Sequence, residues 1–163
     1  PIGAVEAFKG DDCLNGYVVA YSEVEEPFKS EKWGPLLYDV AMEFATQKGS
    51  GLTSGRSVVS DQAHAVWKYY AEKRSDDVSA EQLDDWEGRL TTKPEDDCEQ
   101  TIVYSGKHGT KWDEDLEEFY PWDPHGKEAL EARPLSKLYK YNGPKLIDGE
   151  KIFIAKKSHN NQK

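Results

Sequence analysis

Small and apolar residues alternate from Gly3 to Phe8, turn-forming polar residues fill Gly10 to Gly16, and the run Tyr17-Val18-Val19-Ala20-Tyr21 is rich in β-formers. This pattern predicts two strands joined as a hairpin. Beyond the charged loop Glu25 to Lys32, Trp33-Gly34-Pro35 opens a helix, with Pro35 at the first helical position, where its fixed φ fits and its missing amide costs nothing. Leu36, Leu37, Val40, Ala41 and Phe44 then line one apolar face, Asp39, Glu43 and Gln47 point elsewhere, and Gly49 and Gly51 end the helix. Gly51 to Val59 reads as a short, partly extended connection. Ser60 is a good N-cap for a second helix, in which Ala63, Val66, Trp67 and Tyr70 fall at i, i+3, i+4 and i+7 and which ends near Arg74.

Regularity falls after Arg74. Ser79 and Gln82 match the capping-box spacing and, with Leu83 and Trp86, predict a third helix to about Leu90. Thr91 to Gln100 reads as loop, Thr101 to Ser105 as a short strand, Trp112 to Tyr120 as a helical turn, Pro121 to Gly126 as a break and Lys127 to Ala132 as a short helix. Leu135, Leu138 and Tyr139 stand at helical spacing within Pro134 to Tyr141, and Lys151 to Ala155 reads as a last strand. These elements predict a single α+β domain: a small, mostly antiparallel sheet, two central amphipathic helices packed on it, and an irregular acidic C-terminal half.

A chain of 163 residues suits one ordinary domain that needs neither a disulfide nor a metal to be stable. Its net charge of minus 10 is unevenly placed. Asp76 to Glu131 holds 18 acids and five bases, net minus 13, whereas Ala132 to Lys163 holds eight bases and two acids, net plus 6. So dense an acidic stretch repels phosphate backbones, and no direct nucleic-acid binding is predicted. Trp112, Phe119, Tyr120 and Trp122 stand among those acids, either as anchors for an unknown protein partner or as cover over a sparse core. No run approaches the roughly 18 to 20 apolar residues that span a bilayer, and no basic segment precedes an apolar one at the start, so no membrane segment or signal peptide is expected. Cys13 and Cys98 each close an Asp-Asp-Cys triplet, where neighbouring carboxylates disfavour the thiolate. Two free, unreactive thiols are the expectation unless the fold brings them together. The four histidines show no metal-ligand spacing, so no metal site is predicted. Asp84, Asp85 and Glu87 read as a solvated helix face, and no Gly-x-Ser-x-Gly turn supports a hydrolase triad.

The most informative stretch runs from Gly16 to the helix at Pro35. A strand leading through a glycine-containing turn to a helix N-terminus aims orphan amides and the helix dipole at one point, which suits an anion, and Lys32 adds a cation. On Lys32-Trp33-Gly34-Pro35-Leu36-Leu37-Tyr38 with Asp39 to Ala45, and on Ser60-Asp61-Gln62-Ala63 through Trp67, Tyr69, Tyr70 and Lys73, the chain resembles the GCN5-related N-acetyltransferases over Gly16 to Arg74. The resemblance implies an acetyltransferase-like core over 1–90, with 91–163 as an extension. It implies acetyl coenzyme A as cofactor, its pyrophosphate held by Lys32, Trp33, Gly34, Leu36 and Leu37, and Tyr69 or Tyr70 protonating the leaving thiolate. Pro35 departs from the pattern by removing one amide. Trp33 to Ala45, Val66 to Val78, Asp96-Asp97-Cys98 and Pro134-Leu135-Ser136-Lys137 also resemble a family of uncharacterised bacteriophage proteins, which implies a viral origin and a place in the host cytoplasm or the virion. Two functional expectations follow. One is an acetyltransferase-like phage protein that transfers an acyl group to an unknown amine; the other is a non-enzymatic phage protein, either a virion component or an acidic inhibitor of a host protein.

Overall fold

The computed structural model describes residues 2–10, 13–31, 33–103, 110–113, 118–121, 131–148 and 151–152. The hairpin forms as its pattern requires, with β1 (Gly3–Lys9) antiparallel to β2 (Tyr17–Val24). Pairing passes from Glu6 with Tyr21 to Ala7 with Val19, so Ala20 is an extra residue that makes a β-bulge in β2. At the hairpin's end, Cys13, Leu14 and Asn15 have φ of 51°, 61° and 55°, three successive left-handed residues whose Cβ atoms disfavour that conformation.

Helix α1 (Trp33–Lys48) begins two residues before Pro35, which is therefore its third residue, still inside the first turn where a missing amide breaks no helical bond. Its buried stripe is Tyr38, Met42 and Ala45, not the predicted Leu36 to Phe44 face, and Phe44 is 42% exposed. The stripe escaped the pattern because polar tips are satisfied inside. The Tyr38 hydroxyl meets Ser22 Oγ at 2.8 Å, and the buried Glu43 carboxylate accepts the amides of Leu146 and Ile147. Helix α2 (Asp61–Lys73) follows its prediction: Ser60 Oγ accepts the Ala63 amide at 3.2 Å, and Trp67 and Tyr70 are buried.

Two predicted helices are strands. Where a third helix was expected, β5 (Val78–Gln82) forms, and where Leu135, Leu138 and Tyr139 suggested helical spacing, β9 (Lys137–Tyr141) forms. The two pair antiparallel from Val78 with Tyr141 to Gln82 with Lys137. Leu138 and Tyr139 are both fully buried, and as successive residues of a strand they point to opposite faces. Only a strand covered on both sides buries such a pair, so the apolar spacing carried no helical meaning here. The short β3 (Leu52–Thr53) completes a sheet of order β1-β2-β3-β9-β5, in which only β2 and β3 run parallel. This is an α+β fold with a mostly antiparallel sheet, and a strand from the later part of the chain lies inside it.

Smaller pairs account for other segments. β4 (Val58–Val59) runs parallel to β6 (Ile102–Val103), and β10 (Ile147–Asp148) pairs with β11 (Lys151–Ile152). In place of the helical turn expected over Trp112 to Tyr120, β7 (Thr110–Asp113) and β8 (Glu118–Pro121) form an antiparallel pair, in keeping with their Thr, Trp, Phe and Tyr content. The short helix expected over Lys127 to Ala132 lies outside the described residues except for its last two, which are helical. Residues 104–105, 122–126 and 153–155 of the other expected segments also lie outside them.

The main core fills the helix face of the sheet, where Trp67 stacks on Tyr139 at 5.1 Å and meets Tyr38 edge-on at 5.5 Å. A second core, of Cys13, Leu83, Cys98 and Leu138, sits on the other face of β9. There the expectation of free thiols is overturned: the fold brings the Cα atoms of Cys13 and Cys98 to 5.3 Å, and the two form a disulfide. Gly51 holds the strands together at close quarters. Its φ is +136°, a Cβ would stand 2.6 Å from the Tyr139 carbonyl oxygen, and its own carbonyl accepts the Tyr17 amide at 2.8 Å. No helix among the described residues is long and apolar enough to cross a membrane.

Candidate functional site

β2 and β3 pair over two positions only, Tyr17 with Leu52 and Val18 with Thr53, and then part. From Val19 onward β2 has no ladder partner on that side among the described residues, because the chain after β3 leaves through Gly55 toward β4. The gap is a cleft of about 310 Å³. Val18 to Ser22 form one wall, Gly55 to Val58 the other, and Tyr38 of α1 with Ala63 and Trp67 of α2 close it. A smaller lobe of about 140 Å³ shares Ser22, Tyr38, Ser60 and Ala63 with the first and reaches Gly34 and Leu37 in the opening turns of α1.

Several groups give this cleft its chemistry. The Ala20 bulge lies on its wall, where a bulge re-aims backbone groups. The first turn of α1 directs the amides of Trp33 and Gly34 toward its N-terminal end, and Pro35 contributes none. Tyr38 is 3% exposed; burial raises its pKa, the Ser22 hydrogen bond opposes that rise, and the hydroxyl keeps its proton at neutral pH. Arg56 is held within the far wall. Its Nε and Nη2 donate to the Glu99 carbonyl at 3.1 and 2.8 Å, and its Nη1 donates to Thr53 Oγ1, Ser54 Oγ and the Leu135 carbonyl. Burial pulls its pKa down to about 10, against the effect of Glu99, so it remains charged while binding its own backbone. Glu23, which accepts the Tyr21 hydroxyl's hydrogen bond, brings a negative charge to the smaller lobe.

The residues singled out in the sequence are divided by the fold. Gly34 and Leu37 line the smaller lobe. Trp33 stands beside it in the first turn, with Nε1 donating to Glu31 at 3.0 Å, and Leu36 is half-buried on α1 without lining either lobe. Lys32 lies outside the described residues. Tyr70 is buried, and its hydroxyl donates to the Pro35 carbonyl at 2.9 Å and to Asp39 Oδ1 at 2.7 Å; burial and then Asp39 push its pKa far up. Its hydroxyl thus ties α2 to the first turn of α1. Tyr69 is 40% exposed, with its ring against Tyr70 and Arg74, and neither tyrosine lines the cleft. Sequence reasoning passed over Tyr38, although it stands in the quoted stretch four residues before the buried Met42. Nothing in the spacing marked Gly55 to Val58 as a wall.

One further cluster stands apart from the cleft. Asp84, Asp96 and Asp97 place carboxylate oxygens within 4.8 Å of one another, close enough to share a cation. Asp84 is the organiser of its loop, accepting the amides of Asp85, Leu90 and Thr91, and Asp96 accepts the Thr91 hydroxyl. Burial would raise the Asp84 pKa, but the amides of Thr91, Leu90 and Asp85 hold it below the usual carboxylate range. Burial, then Asp84 and Asp96, raise that of Asp97. Comparison with known protein families, with curated proteins and with solved structures finds no match to this chain.

Proposed function

We propose that the cleft between β2 and β3 binds an acyl coenzyme A and that the protein transfers the acyl group to an unknown amine, as the acetyltransferase resemblance implies. The observation that carries this reading is a pair of parallel strands that separate after two residue pairs, leaving an open strand edge along a cleft. An extended arm containing amides, such as pantetheine, can bond to that edge as an added strand does. The diphosphate end then lies toward the first turn of α1, at Gly34 and Leu37 with Trp33 near by. In the transfer, the amine attacks the thioester carbon, an amide beside the Ala20 bulge stabilises the oxygen as it gains charge, and the carbon–sulfur bond breaks. Tyr38, in place of Tyr69 or Tyr70, is the lining hydroxyl that gives its proton to the departing sulfur, and it regains one from the nitrogen as the attacking amine becomes an amide.

Calorimetric titration with coenzyme A and acetyl coenzyme A at moderate salt tests the reading, with saturable micromolar binding as the expected result. Gly34→Leu should abolish it while the protein stays folded, since a Cβ at Gly34 meets only Val24 Cγ2, at 3.7 Å. Absence of heat and of thermal stabilisation in the unaltered chain overturns the proposal.

A second, non-enzymatic reading is favoured by Trp86, which is 61% exposed between Asp85 and Glu87 and is suited to anchor a basic partner protein. Binding to such a partner should weaken steeply as salt rises.

A further inference from the structure

The two walls of the cleft are joined behind its closed end by a chain of contacts that runs through the disulfide. On the β2 side, the Cys13 carbonyl accepts the Gly16 amide at 3.2 Å, and the next residue, Tyr17, starts the two-residue pairing with β3. On the other side, Cys98 begins a strap that follows the far wall. The Glu99 carbonyl takes two Arg56 donors, Thr101 Oγ1 donates to the Gly55 carbonyl at 2.8 Å and lies 3.2 Å from Ser54 Oγ, and Ile102 and Val103 pair with Val58 and Val59. The covalent bond between Cys13 and Cys98 is the point at which strap and hairpin meet.

We propose that the buried Cys13–Cys98 disulfide is a brace that fixes the separation of the cleft walls, so that breaking it weakens ligand binding. The ligand in this inference rests on the acyl coenzyme A reading. Two equivalents of a thiol reductant, or one dithiol, supply two electrons and two protons. The sulfur–sulfur bond breaks, both cysteines become thiols, and the reductant becomes a disulfide. The freed strap keeps its hydrogen bonds to residues 54–59 but loses its anchor to β2, and the far wall can then move away. The main core, on the opposite face of β9, retains its packing.

The test compares the oxidised chain, the same chain treated with dithiothreitol, and a Cys13→Ser/Cys98→Ser variant. Acetyl coenzyme A titration and amide hydrogen exchange are measured on each. The expected result is affinity weakened on the order of tenfold in the two unbridged forms, a typical coupling between sites. Faster exchange should appear at Val58 and Val59, with α1 still protected. Equal affinity with unchanged protection at Val58 and Val59 overturns the brace. Loss of protection at α1 to the same degree also overturns it, because the disulfide would then be a general tether. If the oxidised chain binds no coenzyme A while reduction still exposes Val58 and Val59, the brace stands and the ligand reading fails. Dithiothreitol treatment of the unaltered chain keeps the test decisive where the variant does not fold.

Discussion

The main core gathers twelve buried residues around Trp67 and Tyr139 on the helix face of the sheet, whereas the second core holds four, two of which are the halves of a disulfide. The first is held by area. Its aromatic rings are large apolar bodies with hydroxyls that find partners, as Tyr139 does at the Pro134 carbonyl, 2.6 Å away. The second buries too little to hold its loops by area. It relies on a cross-link between residues 85 apart, which in the chain-entropy view is worth on the order of 4 kcal/mol, and on hydrogen bonds such as that from the Cys98 amide to the Asp84 carbonyl. The comparison teaches that one domain can hold one face of a sheet by packing and the other by tethering. The cleft is bounded by both: Val19, Tyr38, Val59 and Trp67 belong to the main core, while the strap behind its far wall is anchored in the second.

The strongest way to break this comparison is Trp67→Ala. Removing a side chain that is 1% exposed from the packed core should cost about 3 to 5 kcal/mol in urea denaturation. A loss under about 1 kcal/mol would mean that the aromatic cluster is not what holds that face. Arg56→Lys tests the seam between the two regions. Lysine cannot reproduce a guanidinium fork that serves the Glu99 and Leu135 carbonyls together, so a loss of about 1 to 3 kcal/mol is expected. That loss should be non-additive with removal of the disulfide, whereas the loss from Trp67→Ala should add to it within about 0.5 kcal/mol.

The smallest effect concerns the outer rim of the main core, where Arg74 Nε and Nη2 grip Asp77 at 2.8 and 2.5 Å. The Arg74 hydrogen bond holds the Asp77 pKa below the usual carboxylate range. A depressed carboxyl contributes stability above its unfolded-state pKa and loses it as pH falls through the folded value. Asp77→Asn should therefore cost about 1 kcal/mol or less at pH 7, given the pair's partial exposure, and the gap from the unaltered chain should close as the pH falls below about 4. A gap that is constant with pH would show that packing, not charge, is what the substitution removes.

Legibility in the sequence followed the range of the interactions. The hairpin, the Ser60 cap and the Trp67 and Tyr70 stripe of α2 depend on neighbours within a few residues, and all were readable. That a helix opens around Gly34 was likewise legible, because a helix start is a local signal. β5 and β9 were misread as helices because a capping-box match and an apolar spacing of three to four are local patterns, while their strand pairing joins residues about 60 apart in the chain. The α1 stripe was rotated from its predicted position because Tyr38 and Glu43 are buried through partners on β2 and at Leu146 and Ile147, which no helical wheel contains.

By itself the sequence determined the class of fold, the Ser60 start of α2 and the uneven charge, since each follows from propensity, capping chemistry or composition. Tertiary structure alone decided that β2 and β3 part after two residues, that Tyr38 and not Tyr69 or Tyr70 lines the resulting cleft, and that Cys13 meets Cys98. Those outcomes depend on which distant segments share a sheet. β9 can lie between β3 and β5 only when residues far apart in the chain pack together, and that long-range packing sets both the cleft and the brace behind it.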